Sequence, residues 1–363
     1  MIVKNEENTL KKCLDSVKGV FDEIIIVDTG SIDGTKREAA SYTDKIYDFE
    51  WRDDFAAARN FSFSKATADF IMWLDADDVV EDGEREKLLG LKERLTNETD
   101  VVMMKYAASF DENGNATFFY YRERLIRRGA NLKWQGFVHE VIAPAGNVIY
   151  EDIQISHKPS PDKRSDPTRN LRIYESKRDK GFRFGARETY YYARELYYNG
   201  MYDRAAKNFE QFLEMKNGWF ADKIGACIML SEIYKESDAE RSRGYLAKAL
   251  SYDVVNPQIL CLMGDAKLEA SQYDQAIFWY DAALSCPAEY KRSGFIQSDY
   301  ERYYPLLQLC LCYDRLGEHA KAKEYNSLAG ILRPDSKAVR YNEKYFEELE
   351  RNSGEQEEVK SEE

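Results

Sequence analysis

The second half of this chain repeats itself. Residues 191–213 (YYARELYYNGMYDRAAKNFEQFL) and 262–284 (LMGDAKLEASQYDQAIFWYDAAL) superimpose at one fixed offset. Ala193 falls on Gly264, Tyr202 on Tyr273, Ala205 on Ala276 and Phe209 on Tyr280. Residues 308–329 repeat the pattern with Gly317, Ala322 and a closing Pro334, and 227–250 carry a poorer copy. Small residues where helices cross, with aromatics between them, describe helix pairs that cannot bury their apolar faces alone and must stack on neighbours. Copies held in phase count against a generic all-α domain.

The spacing resembles tetratricopeptide repeats, which form a solenoid with a concave binding face. The first copy is crowded with Tyr190, Tyr191, Tyr192, Tyr197 and Tyr198. A helix does not bury five neighbouring tyrosines on one face, so some are expected to line the concave surface. The repeat domain is expected over residues 161–346. It follows a hydrophilic boundary at 157–170 (HKPSPDKRSDPTRN), and an acidic disordered tail is expected over 347–363.

The front of the chain has a different rhythm. Glu23–Val27, Lys45–Phe49, Phe70–Leu74 and Asp100–Tyr106 are short apolar runs rich in β-branched or aromatic residues. Amphipathic stretches lie between them: Leu10, Cys13, Leu14 and Val17 keep helical spacing, and 54–66 carries small and aromatic residues on one face. Such alternation predicts a parallel sheet covered by helices, with ligands bound beyond the carboxyl ends of the strands. Turn signals at 111–115 (DENGN) and 144–147 (PAGN) set off 116–128 and 137–157 as antiparallel or mixed strands extending that sheet. An α/β domain over residues 1–160 is expected.

Acids stand where ligands would bind. Asp28 follows IIIV, and Asp75, Asp77 and Asp78 follow FIMWL. Asp75-Ala-Asp77 projects two carboxylates to one side of an extended chain, and Mg²⁺ or Mn²⁺ is commonly held by such oxygens together with substrate phosphates. Acids also cap helices, so the pair alone does not decide. The turn 28–35 (DTGSIDGT) offers Gly30 and Gly34 for tight backbone and Ser31, Asp33 and Thr35 as caps. Neither a GxGxxG fingerprint nor a Walker lysine is present.

Charge and composition narrow the partners. A net charge of −13 counts against duplex nucleic acid or an anionic membrane surface. No apolar run approaches the roughly 18 residues of a transmembrane helix, and a cytoplasmic location is expected. The six cysteines form no CxxC pair, so buried free thiols are expected rather than zinc or disulfides.

Taken together, MIVKNEENTLKKCLDSV, DEIIIVDTGSIDGT, FAAARNFSFSKATADFIMWLDADD and WQGFVHEV strongly resemble the family 2 glycosyltransferases of GT-A fold that carry C-terminal tetratricopeptide repeats. The resemblance runs to about residue 330. It implies an α/β GT-A domain of Rossmann-like, mixed-sheet type in front of an all-α repeat domain. It implies an inverting transfer from a nucleotide-sugar donor, usually of uridine diphosphate, assisted by Mn²⁺ or Mg²⁺. Asn5 and Glu6 would lie beside base and ribose, and Asp28 would accept from the base imide. Arg59 would approach the nucleotide or its diphosphate, and Asp75 would contact the ribose and metal-bound water. Asp77 would bind the metal, and His157 would complete its shell. Glu140 matches the catalytic base, with His139 beside it as the other candidate.

Plainer roles stand next to these. Glu140 could pair with Arg122, Arg124, Arg127 or Arg128, His157 could be a surface histidine, and Trp134 could stack on a sugar or fill core. Asp33 reads as a turn residue and Asp78 as a helix start. The acceptor implied is a peptide, a protein or a glycan selected by the repeats. Their alternative use is to build a homo-oligomer, and a non-catalytic sugar-nucleotide-binding scaffold is the rival to the enzyme.

Overall fold

The computed structural model describes residues 1–160, 166–252, 256–287 and 294–361. Positions 161–165 of the expected boundary and 362–363 of the expected tail lie outside them. The chain divides into two compact units, one of Met1–Phe110 with Phe118–Asn217, the other of Asp111–Thr117 with Gly218–Glu363.

The first unit opens with the expected alternation: β1 (Ile2–Val3), α1 (Leu10–Ser16), β2 (Ile26–Asp28), α2 (Thr35–Ala39), β3 (Ile46–Asp48) and α3 (Phe55–Ser64). β1, β2 and β3 form a parallel sheet in that order, with Val3 opposite Asp28 and Asp28 opposite Asp48. The helical spacing read in α1 is the buried face, for Leu10, Cys13, Leu14 and Val17 are all buried. Gly30 supplies the turn after β2 at φ +101°, a left-handed conformation that side-chain-bearing residues resist.

Next come β4 (Phe70–Met72), β5 (Asp78–Val79), α4 (Asp82–Arg94), β6 (Val101–Phe110), β7 (Ala116–Arg127), β8 (Trp134–Gln135), β9 (Val141–Ile142) and β10 (Val148–His157). A second sheet runs in the order β7-β6-β10-β5, with β4 antiparallel to β7. β10 lies parallel to β6 but antiparallel to β5, so the sheet is mixed. Its core holds Leu88, Leu91, Val102, Met104, Ile153 and Ile155. Three helices complete the unit: α5 (Arg169–Asp179), α6 (Ala186–Tyr198) and α7 (Tyr202–Glu214).

The first repeat copy, α6 and α7, thus belongs to the compact unit that holds the sheet. Fewer of its tyrosines reach the surface than expected. Tyr190, Tyr191 and Tyr192 are buried, while Tyr198 is exposed. The expectation took one helix face, but α6 is covered by α5 and α7 and by the loop around His139 as well.

Among the described residues, the regular structure in the larger segment of the second unit is helical apart from a two-residue strand at Ile296–Gln297 and a short 3₁₀ turn. α8 (Phe220–Tyr234) pairs with α9 (Ala239–Ala249), α10 (Pro257–Glu269) with α11 (Tyr273–Leu284), and α12 (Tyr303–Arg315) with α13 (His319–Leu332). Gly264 shows why a small residue sits at the crossing. A Cβ there would come within 2.6 Å of the buried Tyr280 ring. Helix α14 (Lys337–Ser361) packs on α13 and takes in most of the residues expected as a disordered tail. Five of the six cysteines are buried, as expected, and all six are free thiols. Among the described residues, no helix is long and apolar enough to cross a membrane.

Candidate active site and metal centre

The acids after β4 do not act together. Asp75 turns to one side, where its Oδ1 accepts from Arg59 Nη2 at 2.7 Å. Asp77 and Asp78 turn to the other. There, strand pairing sets Asp78 opposite His157, and the Lys158 amide donates to the Asp77 carbonyl at 2.7 Å. His157 Nδ1 lies 3.6 Å from Asp77 Oδ1 and 3.8 Å from Asp78 Oδ1. One donor atom from each of Asp77, Asp78 and His157 falls within 4.8 Å of the others.

Asp78 is a strand residue and fully buried, not the helix start expected. Arg124, equally buried, donates to Asp78 Oδ2 at 2.8 Å, and its guanidinium lies 3.8 Å from the centre of the Trp73 ring. Burial opposes ionisation of Asp78, but Arg124 and the surrounding donors win and bring its pKa down to about 2. Asp78 Oδ1 and His157 Nδ1 are both buried without a hydrogen bond. Two such atoms facing each other across 3.8 Å are costly in a protein interior unless something bridges them. Two carboxylate oxygens and an imidazole nitrogen fit a divalent cation such as Mn²⁺ or Mg²⁺. The facing acids also raise the pKa of His157, Asp78 most of all.

Arg59, on α3, connects Asp75 to Glu140. Its Nε donates to Glu140 Oε1 at 2.6 Å while Nη2 holds Asp75. The guanidinium lies between the Trp73 and Trp134 rings, 4.9 and 4.8 Å from their centres. The ion pair weighed for Glu140 therefore exists, but its side-chain partner is Arg59. Arg122 instead donates to the Glu140 carbonyl, at 3.3 Å. Burial works to raise the Glu140 pKa, and Arg59 outweighs it, so the carboxyl sits below the usual range. Trp134 is buried among Ala56, Trp73, Ile126 and Ile142, which places it in core.

His139 points away from this chemistry. Its Nε2 is 2.6 Å from Glu195 Oε1 on α6, and its ring stacks on Tyr191 with centroids 4.4 Å apart. Burial lowers its pKa despite Glu195.

The turn after β2 forms a separate group. The Gly30 and Ser31 amides donate to the buried Asp28 carboxylate, and Lys36 Nζ is 3.7 Å away. Asn5, at φ +55°, donates its amide to Ser31 Oγ and accepts from the Ile32 amide. The Glu6 amide donates to Thr35 Oγ1. Asp33 takes amides from Glu7 and Thr35, the turn role expected of it. The sequence reading missed Asp78 as a member of the cluster, and Arg124 and Glu195 as partners. The clue for Asp78 was its company, Asp75 and Asp77 behind an apolar run, but the cross-strand pairing with His157 is not local.

Residues 1–146 match the model of glycosyl transferase family 2. A TPR repeat-containing protein of Synechococcus elongatus is 28% identical over 324 residues, 86% of this chain and 72% of that protein. The prophage-derived glycosyltransferase SunS of Bacillus subtilis is 32% identical over 143 residues, 39% of this chain and 33% of the relative. The lipopolysaccharide core biosynthesis glycosyltransferase LpsC of Rhizobium meliloti is 31% identical over 157 residues, 41% of this chain and 57% of the relative. The chain thus spans less than two thirds of either glycosyltransferase's length.

Proposed function

From a glycosyl transferase family 2 domain in front of tetratricopeptide-like helix pairs, we propose that the chain is a metal-dependent, inverting glycosyltransferase using a uridine diphosphate sugar. The observation that carries this reading is the trio of buried Asp78 with half-buried Asp77 and His157, with two orphaned ligand atoms, beside the Asp75–Arg59–Glu140 chain. Asp77 and His157, with Asp78, would hold Mn²⁺ or Mg²⁺, which when bound offsets the charge of the donor diphosphate. Asn5, Glu6 and Asp28 form the nucleoside side of the site, and Asp28 accepts from the base imide.

Glu140 is the base. It must be ionised before it can take a proton, and Arg59 keeps it so. The acceptor hydroxyl or thiol gives its proton to Glu140 and bonds to the anomeric carbon. The bond from that carbon to the nucleotide oxygen breaks, and one displacement inverts the configuration. His139 serves elsewhere, since its ring is engaged by Glu195 and Tyr191. Arg59 orients Glu140 and Asp75, a different task from the diphosphate contact that the resemblance implies. The acceptor is a peptide or a glycan chosen by the helical repeats, and the enzyme works in the cytoplasm.

Calorimetry tests the donor side. Uridine diphosphate is expected to bind at least about tenfold more tightly with Mn²⁺ than in chelator. Equal affinity in both conditions removes the metal-bridged site. Glu140→Gln is expected to leave that binding intact and slow turnover about a hundredfold or more.

A further inference from the structure

The residues just before Glu140 are fastened to α6. His139 adopts φ +50°, a left-handed conformation that a side chain bearing a Cβ holds only when its surroundings impose it. The surroundings here are specific. Arg187 donates twice to the His139 carbonyl, at 3.1 and 2.7 Å. Glu195 meets its ring Nε2, and Asn170 of α5 donates to the same Glu195 oxygen at 3.2 Å. Tyr191 closes one ring face, and the preceding Phe137 packs against Tyr174 of α5. Glu195 is itself buried. A carboxylate does not enter a protein interior without ionic or hydrogen-bonded partners. Its partners here are His139 and Asn170.

We propose that Glu195 is a positioning residue, which by holding His139 fixes the backbone from which Glu140 meets Arg59. This rests on the reading of Glu140 as base. Neither Glu195 nor Arg187 belongs to the motifs of the transferase domain. Both come from the first helix pair, which explains why that pair is part of the same compact unit as the sheet. The helix pair does more than extend a binding surface, because it completes one wall of the reaction site. The charged and titratable groups facing His139 are Glu195, Arg187 and Arg194 from α6, and Glu140 beside it.

The test uses the full chain with Mn²⁺ and two readouts. In the first, amide hydrogen exchange across residues 136–141 is followed in Glu195→Ala and Glu195→Gln. Exchange in that segment is expected to quicken at least about tenfold in the alanine variant and to return close to the starting rate with glutamine, which can still reach His139. Unchanged exchange in Glu195→Ala overturns the proposal, whatever happens to activity. In the second, hydrolysis of UDP-glucose and UDP-N-acetylglucosamine is measured in both variants, alone and combined with Glu140→Gln. Glu195→Ala is expected to lower kcat with the donor KM unchanged, and to add no further loss once Glu140 is glutamine. Independent, multiplying losses overturn it. Should Glu140→Gln alone retain full activity, the base assignment fails, while quickened exchange would still show that Glu195 holds the segment.

Discussion

Replacing Arg59 by methionine tests the centre of the site most directly. The side chain is nearly buried, as is Glu140, whereas a third of the Asp75 side chain remains in contact with solvent. The variant therefore leaves one buried carboxylate without its cation and a second that water can still serve. Breaking a buried ion pair from one side costs about 3–5 kcal/mol, while an exposed pair is worth about 1 kcal/mol or less. Loss of the cation from between Trp73 and Trp134 adds about 1 kcal/mol, and methionine returns part of this by filling the space. The expected loss at pH 7 is thus about 4 kcal/mol, a large share of a typical total of about 5–15 kcal/mol. Urea denaturation of the full chain, followed by tryptophan fluorescence, measures it.

The pH dependence carries a sign that packing alone would not produce. In the parent protein the Glu140 pKa is lowered, so its contribution is present above the usual carboxylate pKa and fades as the pH falls through the folded value. In Arg59→Met, burial, the largest influence on Glu140, is opposed only by a backbone hydrogen bond and the more remote Arg122, so the pKa moves up and protonation relieves the buried charge as the pH falls. Both effects shrink the stability gap between the two proteins on going from pH 7 towards pH 4. A loss below about 1 kcal/mol, or a gap that stays constant with pH, would refute the reasoning. Arg59→Lys keeps the charge but loses the fork that reaches both acids, and is expected to fall between.

The other expectations are quickly stated. Mn²⁺ is expected to raise the melting temperature of the parent but not of Asp77→Asn or His157→Ala, as measured by calorimetry; an unaltered rise in both variants would discard the trio as the binding site. Arg124→Met removes the cation on Asp78 Oδ2, and is expected to destabilise the fold by about 3–5 kcal/mol in urea. Gly264→Ala drives a methyl group against the Tyr280 ring and is expected to cost about 1–3 kcal/mol in the unfolding of the helical unit, with uridine diphosphate binding unchanged. A chain ended at Lys158 would strip Tyr174, Phe182 and Phe184 from Phe137 and lose donor binding, whereas one ended at Asn217 keeps it; equal binding by both would show that α5 to α7 are dispensable to the site.

Much of the architecture was legible because its signals are local. EIIIV, KIYDF and FIMWL announce strands through their own composition, and Leu10, Cys13, Leu14 and Val17 announce a helix face. The repeats were legible for the same reason: Gly264 and Ala276 sit where their own neighbours need small residues. The pairings that make the site are of another kind. Arg59 and Glu140 are 81 residues apart, and nothing in either neighbourhood selects the other over Arg122 or Arg124. The tyrosines of α6 were misplaced by a similar shortfall. A helical wheel describes the faces of one helix but not how many of them other elements will cover.

Charge placement around Trp73 gives the arrangement its logic. Three guanidiniums, of Arg59, Arg122 and Arg124, lie against this one ring. Each is matched to buried or partly buried acid: Arg59 to Glu140 and Asp75, Arg122 to Glu123, and Arg124 to Asp78. The aromatic face favours the cations, and Arg59 and Arg124 in turn keep Glu140 and Asp78 ionised against the opposing effect of burial. On Asp78 the arginine takes only Oδ2, so Oδ1 stays turned towards His157 and Asp77. With His157 neutral, as a metal ligand must be, Asp77, Asp78 and Arg124 together carry one negative charge. That residual charge, on oxygens already gathered, is what a divalent cation would meet on entering.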